Sequence, residues 1–473
     1  MKFMKTRIIE TASVLFFMGL SFIPTIAQSV GPEEARRAEA LSAREMFDEV
    51  NQFTRNRFSQ FEGTGVVISE DVRNETMQNQ RRLAERYLRL AKTRTTNDAD
   101  DFYYMGMLGW ISQDFEHATE FLGRFVDSAS DDRERRQLAR SVMVVMLART
   151  ERIARAETIL REYLGEKLEK PRERLRMEAE LSIAKKASAD IAGALSHTTN
   201  AFRAALSLAD DPRNAANAVV EIINMGMERH ELCLALRDAA CATSALVDLR
   251  NAAMKIDSPV AFFISTDELI RLLAERGRRD EADAVYRKSV GEDLKRFSNS
   301  STAGDVGARL KLNERQYLLI GEPAVDLGIT AATFPDGPTT LKELTGKVVV
   351  LDFWATWCLP CFEAFPKLSE WQRRFRGDVE VLGVTRLYGN IKGDDVDEET
   401  ELSFLRKFRD EQKLDYRIVV SRDFEAEFTY GVRALPTVVL IDRSGKIRYI
   451  DSGSSAARLE KLRLKLEELV SEK

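Results

Sequence analysis

The sequence predicts a multidomain chain in which an all-α, helical-repeat-like N-terminal region precedes an α/β C-terminal domain. Residues 33–297 are dense in alanine, leucine, arginine and glutamate, contain little proline and carry apolar residues at helical spacing. After residue 318, apolar runs rich in β-branched residues alternate with helical patterns, which is typical of a sheet covered by helices on both faces. We therefore expect an all-α region over 28–297, a linker over 298–317 and the α/β domain over 318–473.

The composition is that of a globular protein with two or three domains. The chain has 473 residues, of which 44% are hydrophobic and 31% are charged, with both signs mixed. A net charge of −5 excludes a general nucleic-acid-binding role, because that role requires an excess of basic residues. The three histidines, His117, His197 and His230, lie far apart in the sequence, so no metal site is predicted.

The first 27 residues have the pattern of a secretory signal peptide. A basic start, Met1–Arg7, precedes the apolar segment 12–24, and the small residue Ala27 ends a typical cleavage site. We expect an exported protein in a periplasmic or other extracytoplasmic compartment. The alternative is that an uncleaved segment anchors the chain in a membrane at its N-terminus.

Small residues recur at regular distances in the helical region. Ala118, Ala156 and Ala194 follow one another at intervals of 38 residues and stand in similar local contexts. This pattern resembles degenerate tetratricopeptide-type helix pairs, in which a small residue permits close approach of two helices. A plain helical bundle is the alternative, and a concave surface for a protein partner is what the repeat would imply.

A small, polar stretch separates the two regions. Ser298–Asp305 has the composition of a linker and lies between two regions in which apolar residues recur periodically. The final stretch of about 155 residues, 318–473, is long enough for an α/β domain of this type to bury its own core. We therefore expect the C-terminal domain to fold without residues 31–297.

The candidate redox site is the sequence Trp357–Cys361, which contains two cysteines separated by Leu359 and Pro360. The preceding run Lys347–Trp354 is unbroken and apolar, as in a buried strand, and Phe362–Phe375 has helical periodicity. Cys358 is therefore expected at a helix N-terminus, where unpaired amides and the helix dipole lower the pKa of a thiol. Cys361 would lie on the same helix face, close enough to attack a mixed disulfide formed by the first cysteine.

Several segments resemble the thioredoxin superfamily, and in particular the TlpA/ResA-type extracytoplasmic thiol–disulfide oxidoreductases. Phe353–Cys361 is similar to the active-site signature, Leu435–Thr437 to the cis-proline loop and Asp442–Lys446 to the following tight turn. Gly321–Leu327 and Thr340–Lys347 resemble the N-terminal hairpin and its lead-in. The resemblance covers roughly the last third of the chain and implies a thioredoxin fold there.

The resemblance also implies a mechanism and a set of site residues. Cys358 would attack a disulfide of a protein substrate, Cys361 would resolve the mixed disulfide, and a membrane thiol relay would supply electrons without a diffusible cofactor. Pro436 would be cis and lie against the cysteines. Substrate contacts would come from the residues around them: Trp357, Leu359, Pro360 and Leu435. Trp354 and Trp357 are expected to form an apolar collar around the site.

Two positions in the sequence bear on which residue accepts the proton of the second cysteine, Cys361. Asp352 lies inside the predicted strand and aligns with the buried acid of thioredoxins that accepts the proton of the second cysteine. Relatives of the TlpA/ResA type tend to have a glutamate three residues after the second cysteine, where this sequence has Ala364. Asp352 is therefore the expected base, and Glu363 is the alternative.

The remaining cysteines, Cys233 and Cys241, are candidates for a structural disulfide. On one straight helix they would be roughly 12 Å apart, which is too far for a bond. Across a helix–turn–helix they could pair, and an oxidising compartment would favour that bond.

Two other functions remain open at this point. A thiol peroxidase is one, although such enzymes usually have a threonine three residues ahead of the reactive cysteine, whereas Thr356 is two ahead. The other is a helical-repeat binding protein with a vestigial redox domain. The acidic run within Leu387–Glu399 is interpreted as a solvated loop, and the direction of electron flow does not follow from the sequence.

Overall fold

The computed structural model describes residues 37, 40–94, 98–128, 131–328, 330–337 and 340–472. The predicted signal peptide, residues 1–27, lies outside these ranges. The chain divides into two compact units, residues 1–139 and 140–473, so the division does not fall near residue 297. Within the described ranges, no helix combines the length and the apolar character needed to cross a bilayer.

The N-terminal unit is built from helices that pack on their neighbours in the sequence. It contains α1 (Ala43–Gly63), α2 (Glu70–Lys92), α3 (Ala99–Ser112), α4 (Phe115–Val126) and the beginning of α5 (Arg133–Arg149). Helix α1 packs on α2, α2 on α3 and α3 on α4. This nearest-neighbour packing fits the predicted repeat of helix pairs.

The second unit begins with a further series of helices. They are α6 (Ile153–Gly165), α7 (Pro171–Ala187), α8 (Ile191–Ala209), α9 (Ala215–Ala235), α10 (Ala239–Lys255), α11 (Pro259–Glu275), α12 (Arg279–Gly291) and α13 (Ser300–Leu319). Each of α7 to α11 again packs on the next helix, and α11 also packs on α13. The prediction of an all-α N-terminal region is confirmed.

The recurring alanines occupy one structural position. Ala118, Ala156 and Ala194 are each the fourth residue of a helix and are fully buried. At Ala118 the reason is visible, because a Cβ added to Gly109 would lie only 2.8 Å from the Cβ of this alanine. The interval of 38 residues therefore marks a site of close helix packing, as the pattern predicts.

The prediction of a linker over 298–317 is wrong. Ser300–Leu319 form α13, and the side chain of Asn299 caps the helix by accepting a hydrogen bond from Thr302 N. The small polar residues are the cap and first turn of this helix, since such residues favour helix N-termini as strongly as loops. Its buried stripe comprises Ala303, Val306, Leu310 and Tyr317.

The C-terminal region contains a six-stranded mixed sheet with the order β1-β6-β3-β2-β7-β8. Its strands are β1 (Thr330–Phe334), β2 (Val348–Phe353), β3 (Val379–Arg386), β6 (Arg417–Ser421), β7 (Thr437–Ile441) and β8 (Ile447–Ser452). The short strands β4 (Asn390–Ile391) and β5 (Asp394–Asp395) form a separate hairpin. The helices are α14 (Leu359–Arg374), α15 (Glu398–Glu411), α16 (Glu425–Thr429) and α17 (Ala456–Ser471).

The hairpin expected before β2 is not formed in the described part of the chain. Strand β1 instead pairs with β6 in antiparallel orientation at the sheet edge, and Leu341–Leu344 form a single 3-10 turn. The resemblance of this segment to a hairpin did not specify the strand with which β1 pairs.

Each face of the sheet belongs to a different apolar cluster. Along β2, Val350 and the following Trp354 lie in one cluster, which also contains side chains from α14, α15 and α17. Leu351 and Phe353 lie in the other cluster, whose covering residues come from α11, α13, the segment 320–327 and α16. The second face is thus covered largely by helices that precede the C-terminal domain. The expectation that the C-terminal domain buries its core alone is therefore contradicted.

Polar contacts fix the orientation of the helices on this second face. Arg271 of α11 donates to the carbonyl oxygen of Ile450 at 2.6 Å, and Lys461 of α17 binds Glu268 at 2.7 Å. Burial opposes ionisation of Glu268, but the neighbouring Lys461 and His230 hold the pKa of its carboxyl well below the usual range. Such pairs specify one docking geometry, while the apolar cluster supplies the stability.

Candidate active site

The two cysteines of Trp357–Cys361 lie where the central strand β2 turns into α14, and they form a disulfide. Cys358 is the N-cap residue of the helix and Cys361 belongs to its first turn, so their Cα atoms are 5.4 Å apart. The side chain of Cys358 is only 3% exposed and Cys361 is fully buried. Cys358 is thus almost inaccessible to solvent in the disulfide form.

The residues around the disulfide form an exposed apolar rim. Trp357 is 63% exposed and Leu359 is 74% exposed, and Pro360 is also at the surface. Trp354 does not belong to this rim, contrary to expectation. It is fully buried, with its ring stacked on Phe408 at a centroid distance of 5.3 Å.

The loop before β7 lies beside the cysteines. The peptide bond between Leu435 and Pro436 is cis, the conformation that the resemblance implies. The next residue, Thr437, pairs with Phe353 at the end of β2, which places this loop at the strand end from which the cysteine turn starts. Leu435 is partly buried and packs against the cluster that contains both cysteines.

Asp352 is fully buried on the side of the sheet where the cysteines lie. It stands between Val350 and Trp354, and since alternate residues of a strand share a face, its side chain points toward the cluster of Cys358 and Cys361. Neither carboxylate oxygen has a hydrogen-bond partner among the described residues. Burial raises the pKa of Asp352 to about 7.

The surroundings of Asp352 include two residues that the sequence analysis missed. Gly383 of β3 is its register partner, and a Cβ there would lie 2.9 Å from Trp354 Nε1 and 3.0 Å from the Tyr416 ring. Burial raises the pKa of Tyr416 well above its usual value, and the nearby Asp352 adds to this effect. A glycine inside an apolar strand is a sequence signal for such a close approach.

The other candidate acid, Glu363, is in a different environment. Its side chain is at the surface and accepts a hydrogen bond from the hydroxyl of Ser454 at 3.2 Å. Ala364, at the position where relatives tend to have a glutamate, is buried in the same cluster as the cysteines. Of the two acids, only Asp352 faces the buried side of the site.

The loop after β3 supports the exposed tryptophan. The Tyr388 ring meets Trp357 edge-on at a centroid distance of 5.8 Å. Glu401 accepts hydrogen bonds from the backbone amides of Tyr388 and Gly389 at 2.8 and 2.9 Å and is almost completely buried. The acids of the run within Leu387–Glu399 are themselves exposed, as the interpretation as a solvated loop expects, and the buried carboxylate that anchors the loop, Glu401, follows that run.

The second cysteine pair is separate from the site. Cys233, near the end of α9, and Cys241, at the start of α10, form a disulfide across the turn between the two helices. This is the pairing across a helix–turn–helix that the spacing allowed. In the described ranges, no group of three or more histidine, cysteine, aspartate or glutamate side chains is arranged to hold a metal ion.

Comparisons with known proteins concern the C-terminal third of the chain. Residues 320–450 match the AhpC/TSA family. The thiol-disulfide oxidoreductase ResA of Bacillus thuringiensis is 30% identical over 135 residues, which are 28% of this chain and 70% of that protein. ResA of Geobacillus kaustophilus is 31% identical over 142 residues, 30% of this chain and 74% of that protein.

A crystal structure of a thiol-disulfide isomerase from Corynebacterium glutamicum is also similar, with 22% identity and a TM-score of 0.28. The similarity covers 32% of this chain and 98% of that one. The sequence relationship to ResA and the disulfide at the start of α14 agree on the nature of the C-terminal region. Through that region the chain belongs to the ResA-type thiol–disulfide oxidoreductases of the thioredoxin superfamily.

Proposed function

We propose that this oxidoreductase is an exported disulfide reductase acting on protein substrates. The observation that carries the proposal is the position of the Cys358–Cys361 disulfide, at the N-terminus of α14 and beside an exposed apolar rim. The rim of Trp357 and Leu359 offers a surface to a polypeptide. The adjoining cis-proline loop, Leu435 and Pro436, would receive the substrate chain.

In this mechanism the reduced protein transfers two electrons to its substrate. The Cys358 thiolate attacks one sulfur of a substrate disulfide, that bond breaks, and one substrate cysteine leaves as a thiolate. Cys361 then attacks the Cys358 sulfur, breaks the mixed disulfide and releases the second substrate thiolate. The substrate gains two electrons and the protein is left with the Cys358–Cys361 disulfide.

Asp352 is proposed as the group that accepts the proton of Cys361 before the second attack. A pKa of about 7 for this buried acid suits proton exchange near neutral pH. Its position between Val350 and Trp354 supports this role, because these neighbours lie in the cluster that contains the cysteines. Glu363 is exposed and bound to Ser454, which favours Asp352 over it.

The cellular setting is proposed from the sequence. The signal-like residues 1–27 support export to a periplasmic or other extracytoplasmic compartment, where the second disulfide, Cys233–Cys241, would persist. A membrane thiol relay would then reduce Cys358–Cys361 after each turnover, with no diffusible cofactor. The helical region is proposed to bind a protein partner or the substrate itself.

A trapping experiment tests the exchange mechanism. Cys361→Ala should accumulate mixed disulfides with substrate proteins that a reductant releases, because the resolving thiol is gone, whereas Cys358→Ala should trap none. In the reduced wild-type protein, iodoacetamide should label Cys358 before Cys361. Trapping by Cys358→Ala but not by Cys361→Ala would reverse the two roles and contradict the proposal.

The direction of electron flow is tested by the reduction potential of the Cys358–Cys361 pair. A reductase should equilibrate with glutathione buffers near the thioredoxin value of about −270 mV rather than near the DsbA value of about −120 mV. A value near the oxidising end would make the protein an oxidase. Rapid thiol-dependent consumption of hydrogen peroxide would instead favour a thiol peroxidase, and failure to reduce any disulfide would favour a binding protein with a vestigial redox domain.

A further inference from the structure

Helix α13 runs beside the segment that leads to the cis-proline loop. Three hydrogen bonds from side chains to backbone carbonyl oxygens join them: Arg315 Nε to Thr429 at 3.1 Å, Gln316 Nε2 to Gly431 at 3.0 Å and Arg433 Nε to Leu312 at 3.0 Å. Backbone and helix approach closely here, since a Cβ on Gly431 would lie 3.3 Å from the side chains of Arg315 and Gln316. One side of α13 is therefore part of the same surface as the loop.

Large apolar side chains are exposed along this junction. Phe424 and Phe428, at the two ends of the turn that forms α16, are 65% and 66% exposed, and Leu312 of α13 is 48% exposed. The guanidinium of Arg315 lies 5.4 Å from the centre of the Phe428 ring. Exposed apolar side chains that lie close together mark interaction sites more often than side chains that are exposed singly.

The junction continues toward the disulfide. Glu427, next to Phe428 on α16, forms an ion pair with Arg386 at 3.3 Å. The Arg386 guanidinium lies over the ring of Tyr388, 4.0 Å from its centre, and Tyr388 meets the exposed Trp357. A continuous series of contacts thus links the rim of the active site to the exposed phenylalanines.

Two exposed arginines of this surface have no carboxylate partner in the described part of the chain, and the acids Asp423 and Glu425 beside Phe424 are exposed as well. Arg315 and Arg433 are exposed, and each uses its Nε to bind a carbonyl oxygen. Neither forms an ion pair with a carboxylate within the described part of the chain, although most arginines nearby, such as Arg386 and Arg422, do. Arginine binds carboxylates through two parallel hydrogen bonds, so these side chains favour an acidic ligand.

We propose that Leu312, Arg315, Phe424, Phe428 and Arg433 form a docking surface for the disulfide-containing protein substrate. The bound segment would carry apolar side chains and at least one aspartate or glutamate close to the cysteine that is delivered to Cys358. This inference rests on the proposed reductase function and specifies the substrate class. It also gives α13, the helix that occupies the predicted linker, a direct role in substrate selection.

The test uses two synthetic peptides with the same internal disulfide and the same apolar residues. One peptide carries aspartates beside a cysteine and the other carries lysines there. The full-length protein is reduced, freed of reductant and mixed with each peptide, and the second-order rate constant of peptide reduction is measured. We expect the aspartate peptide to react roughly tenfold faster at low ionic strength, with the preference decreasing as salt is added.

Charge-reversal variants test whether Arg315 and Arg433 cause the preference for the aspartate peptide. Arg315→Glu and Arg433→Glu should each bring the ratio of the two rate constants to about one or below, because a carboxylate now meets the aspartates. Arg309→Glu is the matched control, since it lies on the same helix but its guanidinium is placed over Phe263. This variant should keep the wild-type preference.

The possible outcomes distinguish a failure of the docking inference from a failure of the proposed reductase function. If the wild-type protein reduces both peptides at equal rates, or if neither charge reversal changes the ratio, the docking inference fails while the reductase function stands. If it reduces neither peptide, both fail. A charge reversal that dissociates an oligomer without changing the ratio would assign this surface to contacts between copies of the chain and overturn the inference.

Discussion

Replacement of Asp352 by asparagine should change the pH dependence of stability. Burial raises the pKa of Asp352 from 3.8 to about 7, so between these values the folded protein holds a proton that the unfolded chain has lost. The stability that this proton contributes is fully present below the unfolded pKa and is lost as the pH rises through about 7. Stability of the wild-type protein should therefore fall over this range.

The size of the effect follows from the two pKa values. For this shift, the free energy of unfolding of the wild-type protein should fall by roughly 2.5 kcal/mol between about pH 5 and pH 8 because of this one group. Asparagine has nearly the same shape and does not titrate. The stability difference between Asp352→Asn and the wild-type protein should thus grow by the same amount, in favour of the variant, as the pH rises.

Urea unfolding of the oxidised proteins, followed by circular dichroism at several pH values, measures this difference. Asp410→Asn is the control, because its side chain is 78% exposed and the substitution should leave the pH dependence of stability as in the wild-type protein. Parallel pH curves for Asp352→Asn and the wild-type protein would refute the reasoning. They would mean that the Asp352 carboxylate is solvated in the folded state, and the proposed proton acceptor would lose its basis.

Two further predictions concern packing. A fragment of residues 318–473 lacks the helices α11 and α13, which cover the second face of the sheet. It should therefore bind hydrophobic dyes and show no cooperative thermal transition. A sharp thermal transition of the fragment would contradict a shared core. Gly109→Ala should lower the free energy of unfolding by about 1–3 kcal/mol in urea titrations, because its Cβ would lie within 2.8 Å of Ala118. Gly165→Ala, which adds a Cβ in open space at the end of α6, should have little effect, and equal effects of the two substitutions would contradict the packing argument.

Local patterns were sufficient to predict the parts of this protein that depend on neighbours in the sequence. An unbroken apolar run before Cys358 and helical periodicity after Cys361 predicted the strand, turn and helix that the structure contains. The regular spacing of Ala118 and Ala156 likewise predicted a repeated position of close helix packing. These features follow from backbone preferences and side-chain periodicity, which act within a few residues or a single helix pair.

The tertiary structure decided which surfaces meet. The apolar stripe of α13, which includes Val306 and Leu310, could have covered any apolar surface, and only the folded chain shows that it helps to cover the second face of the sheet. The same holds for Trp354, which is buried against Phe408, fifty-four residues away in the sequence. Contacts of this kind depend on shape and burial summed over distant segments, and no local pattern encodes the partner.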